Sequence, residues 1–274
     1  DYSVASTSAG VTIPLGVTST LNLNGKKFSN VNGHTANKAA LQVRGNLTIE
    51  GNGEVYCEGV ATNNAIIVEN GGNLTINGGT YNVGKAANGT SNATIYVQGP
   101  DTYSRNGTVV INGGTFKAEE GSDGTRFVLN QSDDITTSCF TVKGGTFIGF
   151  NPANVNEAHG AITSFVAEGY KSVKVSDSPE TWEVQDASVS AATQEEFTSV
   201  VAEAGAKVVL AAGTYSAPST IADGVIIEGV AGTVIDIPAA VAYHDKNIKF
   251  KSLTVKSPNA NYTGIQHAAS VKYE

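Results

Sequence analysis

The side chains that could carry chemistry in this sequence are a scattered set of carboxylates and one histidine beside an aspartate. Two carboxyl groups on one face can cleave a glycosidic bond, one as an acid and the other as a base or a nucleophile. The candidates for such a pair are Glu119–Glu120, Asp123, Asp133–Asp134, Asp236 and His244–Asp245. None of them recurs at equivalent positions along the chain, so the sequence predicts no repeated carboxylate face.

The sequence pattern of polygalacturonase-type enzymes is almost absent. It would require an Asn-Thr-Asp, a paired Asp, a Gly-His-Gly and an Arg-Ile-Lys in order, and only Asp133–Asp134 and His159–Gly160 occur. Asp133–Asp134 falls between two apolar stretches, where adjacent carboxylates are more typical of a solvated turn than of catalysis. We therefore predict no catalytic residue, no cofactor and no metal ligand.

Other chemically able side chains have simpler structural interpretations. His267 could face a groove, but a lone histidine is more often a hydrogen-bonded wall residue. Tyr81, Phe116 and Phe147 follow glycines in successive repeats, which predicts a stacked aromatic core rather than a sugar-binding platform. No run of acidic residues alternating with glycine indicates a calcium-binding repeat.

Cysteines and glycosylation triplets carry little functional signal. Cys57 and Cys139 lack the spacing of a zinc site and are too few for a disulfide framework, so we expect buried thiols. Triplets of the form Asn-x-Ser/Thr are expected by chance in a chain so rich in Asn and Thr. They begin at Asn46, Asn73, Asn88, Asn92, Asn106, Asn130 and Asn261.

Composition indicates a folded, strand-rich protein. Of 274 residues, 40% are hydrophobic, only 15% are charged and 31 are glycine. The net charge of -8 and the lack of a Lys/Arg cluster argue against a nucleic-acid partner. No apolar run is long enough to predict a membrane span. The first residues do not have the pattern of a secretory leader. Because the chain has no Met, we expect that its natural start has been lost.

One phrase recurs through the first half of the chain. LTINGGT at 74–80 returns as LTIEGNG at 47–53, VVINGGT at 109–115 and FTVKGGT at 140–146. With Leu21-x-Leu23-x-Gly25 taken as the first copy, the copies start 26, 27, 35 and 31 residues apart. Such a period predicts a solenoid, in which Leu47 stacks beneath Leu74 and Ile49 beneath Ile76.

Each repeat has a second apolar stretch before the phrase and a third after it. Three short strands per turn predict an all-β fold, a right-handed parallel β-helix with like strands ~4.8 Å apart. The glycines would then form the sharp corners between strands. We favour this structural role over a phosphate-binding loop, which would need a helix after the glycines.

The pattern divides the chain into two consecutive β-helical units. Residues 1–185 form the first, and its end, from Gly145 to Asp186, breaks the repeat and contains the single Trp182. Residues 186–274 begin a second β-helix, with the phrase Val225-x-Ile227-x-Gly229 recurring as Leu253-x-Val255. Because solenoids need caps and the last strand has none, we expect this second unit to be truncated.

A short helix is predicted between the two units. Thr193 and Glu196 form a capping box, and Phe197, Val200, Val201 and Ala204 share one face. Gly205 would end the helix. A helix at this place would cover the open end of the second β-helix.

These features together suggest a family. The turns of the LTINGGT type, the closing GGTFIGFNP with FVAEGYKSV, and the restart before VVLAAGTYS resemble β-helix virion proteins of gut-type bacteriophages. The resemblance implies a non-catalytic structural component of the virion surface: a head fibre, a capsid decoration or a tail fibre. It also implies a homotrimer that contacts capsid or tail proteins and a glycan or other feature of the host surface.

Two other classes stay open. A polysaccharide-cleaving enzyme would need carboxylates clustered on one face of the stacked turns. An adhesin of the bacterial cell surface, or a secreted one, would use the same solenoid without catalysis.

Overall fold

The computed structural model describes most of the chain as two compact units. The first unit comprises residues 1–167 and 171–185, and the second comprises 168–170 and 186–274. The described residues are 1–5, 9–31, 38–58, 63–69, 71–84, 92–99, 106–119, 127–155, 162–237, 241–243, 246–256, 265–267 and 271–273. Of the residues singled out above, Asn88, Glu120, Asp123, His159–Gly160, His244–Asp245 and Asn261 lie outside the described residues, as does the side chain of His267.

The first unit is a stack of short strands. In chain order they are β1 (Tyr2–Val4), β2 (Ala9–Ile13), β3 (Thr18–Asn22), β4 (Lys26–Asn30), β5 (Lys38–Val43), β6 (Asn46–Glu50), β7 (Gly53–Cys57), β8 (Asn63–Val68), β9 (Asn73–Ile76), β10 (Thr80–Val83), β11 (Ala93–Val97), β12 (Thr108–Ile111), β13 (Thr115–Ala118), β14 (Phe127–Gln131), β15 (Phe140–Val142), β16 (Gly145–Ile148), β17 (Tyr170–Asp177) and β18 (Glu180–Asp186).

These strands form three sheets. Sheet A has the order β1-β4-β7-β10-β13-β16-β18-β17, sheet B the order β14-β11-β8-β5-β2, and sheet C the order β15-β12-β9-β6-β3. The chain passes through sheets B, C and A in turn. Each strand from β4 to β16 therefore pairs in parallel with the strand three before it in the chain. The predicted all-β parallel β-helix is confirmed.

Alternation along each strand builds the core. In β6 and β9 the inward positions, such as Ile49 and Ile76, are fully buried, while the residues that alternate with them along the strand are partly or fully exposed. Tyr81, Phe116 and Phe147 are stacked in register with ring centroids 5.0 Å apart and no solvent exposure. The predicted aromatic core is therefore confirmed.

The predicted register holds for four of the five repeats. Leu47 pairs with Leu74, and Ile49 pairs with Ile76. The alignment of the first repeat was wrong, because Leu21 pairs with Ile49 rather than with Leu47. The reason is an extra tight turn, in which the Lys26 N–H donates to the Leu23 carbonyl at 2.8 Å. Leu23 therefore belongs to the corner, not to the strand.

The last coil ends differently from the prediction. Gly145–Ile148 still pairs in parallel with β13, so the break in the repeat begins after this strand. Strand β18 then runs antiparallel to β16 and places Trp182 opposite Phe147. Beside sheet C, the Val142 N–H donates to the Phe165 carbonyl at 2.9 Å, and the Phe165 ring packs on Phe140. These contacts cover the last coil.

The second unit contains one helix and three further parallel sheets. Its elements are β19 (Ser188–Ala191), α1 (Gln194–Val200), β20 (Lys207–Leu210), β21 (Gly213–Ser216), β22 (Ile226–Gly229), β23 (Thr233–Asp236), β24 (Val241–Tyr243), β25 (Ile248–Lys251), β26 (Thr254–Lys256), β27 (Ile265–His267) and β28 (Val271–Tyr273). They are arranged as β19-β20-β22-β25-β28, β21-β23-β26 and β24-β27.

One repeat predicted in this unit was wrong. Ile227 pairs with Phe250, whereas Val255 pairs with Ile235 in a different sheet. The two phrases look alike because each has an apolar alternation beside a turn, and alternation does not say which sheet a strand joins.

Helix α1 is present but shorter than predicted. Thr193 and Glu196 form the capping box, and Phe197 and Val201 are fully buried in the core of the unit. Ala204 is exposed and lies beyond the end of the helix. No helix in the described part of the chain is long and apolar enough to cross a membrane.

Candidate functional site

Those carboxylates considered for catalysis that lie within the described residues do not assemble into a recognisable site. Asp133 and Asp134 are exposed in a turn that closes when the Ile135 N–H donates to the Ser132 carbonyl at 2.9 Å. Asp236 lies in β23 of the second unit. Among the described residues, no group of three or more His, Cys, Asp or Glu side chains could hold a metal ion.

Glu119 has an electrostatic effect on a neighbouring aromatic residue. Burial, together with the negative charge of Glu119, raises the pKa of the Tyr56 hydroxyl above its usual value. The ammonium group of Lys27 lies 4.2 Å from the centre of the Tyr56 ring and 3.1 Å from the Glu54 carboxylate. The phenol therefore stays neutral at physiological pH, and its Lys27 and Glu54 neighbours neutralise each other.

The thiols are buried, as predicted. Cys57 and Cys139 are both free and buried. Burial raises the pKa of the Cys139 thiol to about 11. Because the thiolate is the reactive form, Cys139 is a poor nucleophile at neutral pH.

Most of the described glycosylation triplets have their asparagine engaged in structure. Asn92 is only 2% exposed, and its amide donates to the Gly84 carbonyl at 2.7 Å while accepting from the Asn63 N–H at 3.0 Å. Such an asparagine has no room for a glycan. Asn46 and Asn73 are exposed but belong to a hydrogen-bonded row, described next.

A row of amides and hydroxyls runs up the outer surface of sheet C. The Asn46 amide donates to the Thr18 hydroxyl at 3.0 Å, and the Asn73 amide donates to Asn46 Oδ1 at 2.8 Å. The Thr108 hydroxyl then donates to Asn73 Oδ1 at 2.6 Å. Each asparagine still has one N–H and one lone pair free to face solvent. The row therefore presents an ordered, uncharged surface.

A groove runs along the corner between sheets C and A. Its volume is about 470 Å³. Its floor has no side chains, because it is formed by Gly53, Gly78, Gly79, Gly113, Gly114 and Gly145. One bank carries Thr80, Thr115 and Thr146, which pair in register on successive strands. We call this feature the glycine groove.

Most glycines at these corners are required by the fold itself. Gly79 has φ of +92°, which a residue with a Cβ rarely adopts. The glycine before it in each pair lies outside the left-handed region, and its constraint is the coil beneath. At Gly144 a Cβ would lie only 2.3 Å from the Asn112 carbonyl oxygen, so the stacked corners approach too closely for a side chain.

The charges around the glycine groove lie at its two ends. Sheet order places Asn52 and Gly53 at one end and Glu183 at the other, opposite Thr146. A second depression of about 510 Å³ shares Asn52, Gly53 and Thr80 with the groove, and its charged lining residues are Asp1, Lys26, Lys27, Glu54 and Lys117. Apart from Val184 beside Glu183, the lining between these ends is glycine backbone and threonine side chains.

The geometry does not match a phosphate-binding loop. Such a loop places phosphate at the N-terminus of a helix that follows the glycines. Here the glycine pairs at 78–79 and 113–114 are followed by strands β10 and β13. The glycines of the LTINGGT phrase therefore form corners between strands, as predicted, and not a phosphate-binding loop.

Comparisons with known proteins add no assignment. No protein-family model, no curated protein and no solved structure matches this chain. The site must therefore be interpreted from its own geometry.

The threonine bank was not predicted from the sequence, although the recurrence of its threonines is visible there. The threonine that follows each glycine pair appears in NGGT at 77–80, NGGT at 112–115 and KGGT at 143–146. The glycines explained the phrase as a corner, and nothing in the sequence indicated that the next residue faces outward along a groove. The register of β10, β13 and β16 supplies that information.

Proposed function

We propose that this protein is a non-catalytic structural component of a bacteriophage virion, exposed on the particle surface as a head fibre, a capsid decoration or a tail fibre. The supporting observation is the first unit, in which coils stacked in register carry an ordered row of uncharged amides and hydroxyls on their outer surface. This architecture combines rigidity with a continuous contact surface. It is also the architecture that the sequence resemblance to β-helix virion proteins implies.

The rigidity has an identifiable physical origin. Strands inside each stack pair on both edges, as β10 does with β7 and β13. The core is continuous from coil to coil, and loops of different length leave the stack without changing its register. A protein outside a particle needs such resistance to unfolding and proteolysis.

The proposed partners are those that the resemblance to β-helix virion proteins implies. Copies of the chain assemble as a homotrimer, one surface contacts capsid or tail proteins, and another contacts the host surface or its glycans. The net charge of -8 disfavours nucleic acid as a partner. A cell-surface adhesin is the alternative that the ordered surface row supports equally well.

Electron microscopy of the intact source particle, with antibody to this chain as the label, tests the proposal. Label at symmetric positions on the head or the tail is the expected result. If particles carry no label and the protein is instead free or on cell envelopes, the virion assignment is wrong. Adhesion and glycan cleavage would then be the functions to test.

A further inference from the structure

We propose that the glycine groove binds an extended, uncharged oligosaccharide that lies along the axis of the coils. This inference rests on the proposed function, because it specifies which surface makes the host contact. Four features carry it: the shape of the groove, the hydrogen-bonding groups on its bank, its charge, and the pairing of the strands beside it.

The shape suits a narrow polymer. The volume of about 470 Å³ falls within the usual range for ligand sites, roughly 300–1,000 Å³. The groove crosses successive corners, so its long direction follows the stack, with one rung every ~4.8 Å. Because the floor is backbone alone, a ligand can approach more closely than any side chain would allow.

The bank offers groups that match sugar hydroxyls. A threonine hydroxyl both donates and accepts hydrogen bonds, as does each hydroxyl of a sugar. Thr80, Thr115 and Thr146 repeat this group on three consecutive rungs in register. Their β-branched side chains on a paired strand have few rotamers, so little conformational freedom is lost on binding.

The charge of the groove selects an uncharged ligand. No Lys or Arg lines it in the part of the chain that the structure describes. Glu183 at one end would repel uronate, sulfate or phosphate groups, but its carboxylate can accept hydrogen bonds from neutral hydroxyls.

The neighbouring strands disfavour an extended peptide as the ligand. A peptide that adds a strand to a sheet needs an unpaired strand edge. Strand β10 pairs with β7 and β13, and β13 pairs with β10 and β16, so neither beside the groove has a free edge.

Three single substitutions test whether binding depends on the groove: two change the groove, and one changes the surface of sheet C beside it. Thr115→Val removes the central hydroxyl while keeping the shape of the side chain. Gly113→Ala adds a methyl group to the floor, where a Cβ would lie 3.3 Å from the Asn77 carbonyl oxygen, a contact that a small shift relieves. Thr75→Val is the matched control, because it faces outward on sheet C and pairs with Val110, so valine already occupies the next rung.

The probes are linear hexasaccharides of glucose, galactose, mannose and N-acetylglucosamine, with galacturonate hexamers and extended polar peptides for comparison. Binding is measured by calorimetry on the full chain, and thermal unfolding confirms that each variant is folded. We expect at least one neutral hexasaccharide to bind. Thr115→Val should weaken it about 5- to 10-fold, Gly113→Ala at least as much, and Thr75→Val should leave it unchanged.

Several outcomes would overturn the inference: no binding of any neutral hexasaccharide, binding of galacturonate or peptide alone, or binding that Thr115→Val and Gly113→Ala leave intact. The result is distinguishable from a failure of the proposed function. Label on particles without glycan binding would remove only the groove assignment. Glycan binding by a protein absent from particles would remove only the virion assignment.

Discussion

Replacing Gly144 by alanine should destabilise the first unit, whereas the same replacement at Gly113 should be almost neutral. Both glycines are the first of a corner pair, and neither lies in the left-handed region of φ. They differ in the distance from a new Cβ to the carbonyl oxygen of the coil beneath. That distance would be 2.3 Å to Asn112 at position 144 and 3.3 Å to Asn77 at position 113.

The expected energies follow from these distances. Ordinary contact begins at 3.4 Å, so the alanine at 144 is about 1.1 Å too close and the alanine at 113 about 0.1 Å too close. At position 144 the oxygen belongs to Asn112, whose own N–H donates to the Ile76 carbonyl at 2.8 Å, so this backbone cannot easily move. Overpacking typically costs about 1–3 kcal/mol, and the lower entropy of the unfolded chain returns about 0.4–1 kcal/mol. We expect a net loss of about 1–2 kcal/mol at 144 and a change within about 0.5 kcal/mol at 113.

Thermal and urea unfolding followed by circular dichroism measures the difference. For a unit of this size, Gly144→Ala should lower Tm by roughly 2–8 °C, and Gly113→Ala should leave Tm within about 2 °C of the wild type. Wild-type stability for Gly144→Ala, or a larger loss for Gly113→Ala, would refute the idea that close approach of stacked corners excludes a side chain at position 144.

Three further predictions concern the capping box and a thiol. Thr193→Ala should destabilise the second unit by about 1 kcal/mol, measured as a shift in its urea midpoint, because the hydroxyl accepts from the Glu196 N–H at 3.2 Å. The backbone N–H groups of Ala192 and Thr193 lower the pKa of Glu196, so its stabilising effect is present above the pKa of the unfolded chain and is lost as pH falls through the lower folded value. Glu196→Gln should therefore make the free energy of unfolding depend less on pH between roughly pH 5 and pH 3. An unchanged dependence on pH would contradict this. Cys139, with its pKa raised to about 11, should resist iodoacetamide at pH 8 until urea is added, as followed by mass spectrometry.

The fold was predictable to the extent that it depends on alternation and on corners. Apolar residues at every second position and a glycine pair at each corner specify strand, turn and stack, which is why Leu47 and Leu74 were aligned correctly. Partner choice was less predictable. Leu21 resembles Leu47 in its local sequence, yet an added turn at Asn24 and Gly25 moves the register by two residues. Similarly, Val255 has the local sequence of Ile227 but joins another sheet.

The candidate site was less predictable than the fold. Carboxylates and histidines carry most catalysis and are therefore the residues that a sequence shows as candidates. The glycine groove contains none of them along its floor, and its threonines acquire meaning only when strands three apart in sequence are placed side by side. A site formed by repetition across coils cannot be recognised within any single copy of the repeat.

The scaffold and the proposed binding surface use the same residues, which constrains how the surface could vary. The floor glycines with φ in the left-handed region, Gly79 and Gly114 among them, are needed for the corners, so a side chain there would cost stability, whereas Gly113 can accept a methyl group. The threonines are under no such requirement, because the outward position on a paired strand accepts many residues, as Glu54 opposite Thr80 shows. A change of ligand would therefore proceed through positions 80, 115 and 146 while the floor stays fixed. This separation makes Thr115 the most informative single position: its hydroxyl can be removed without disturbing the fold that holds it.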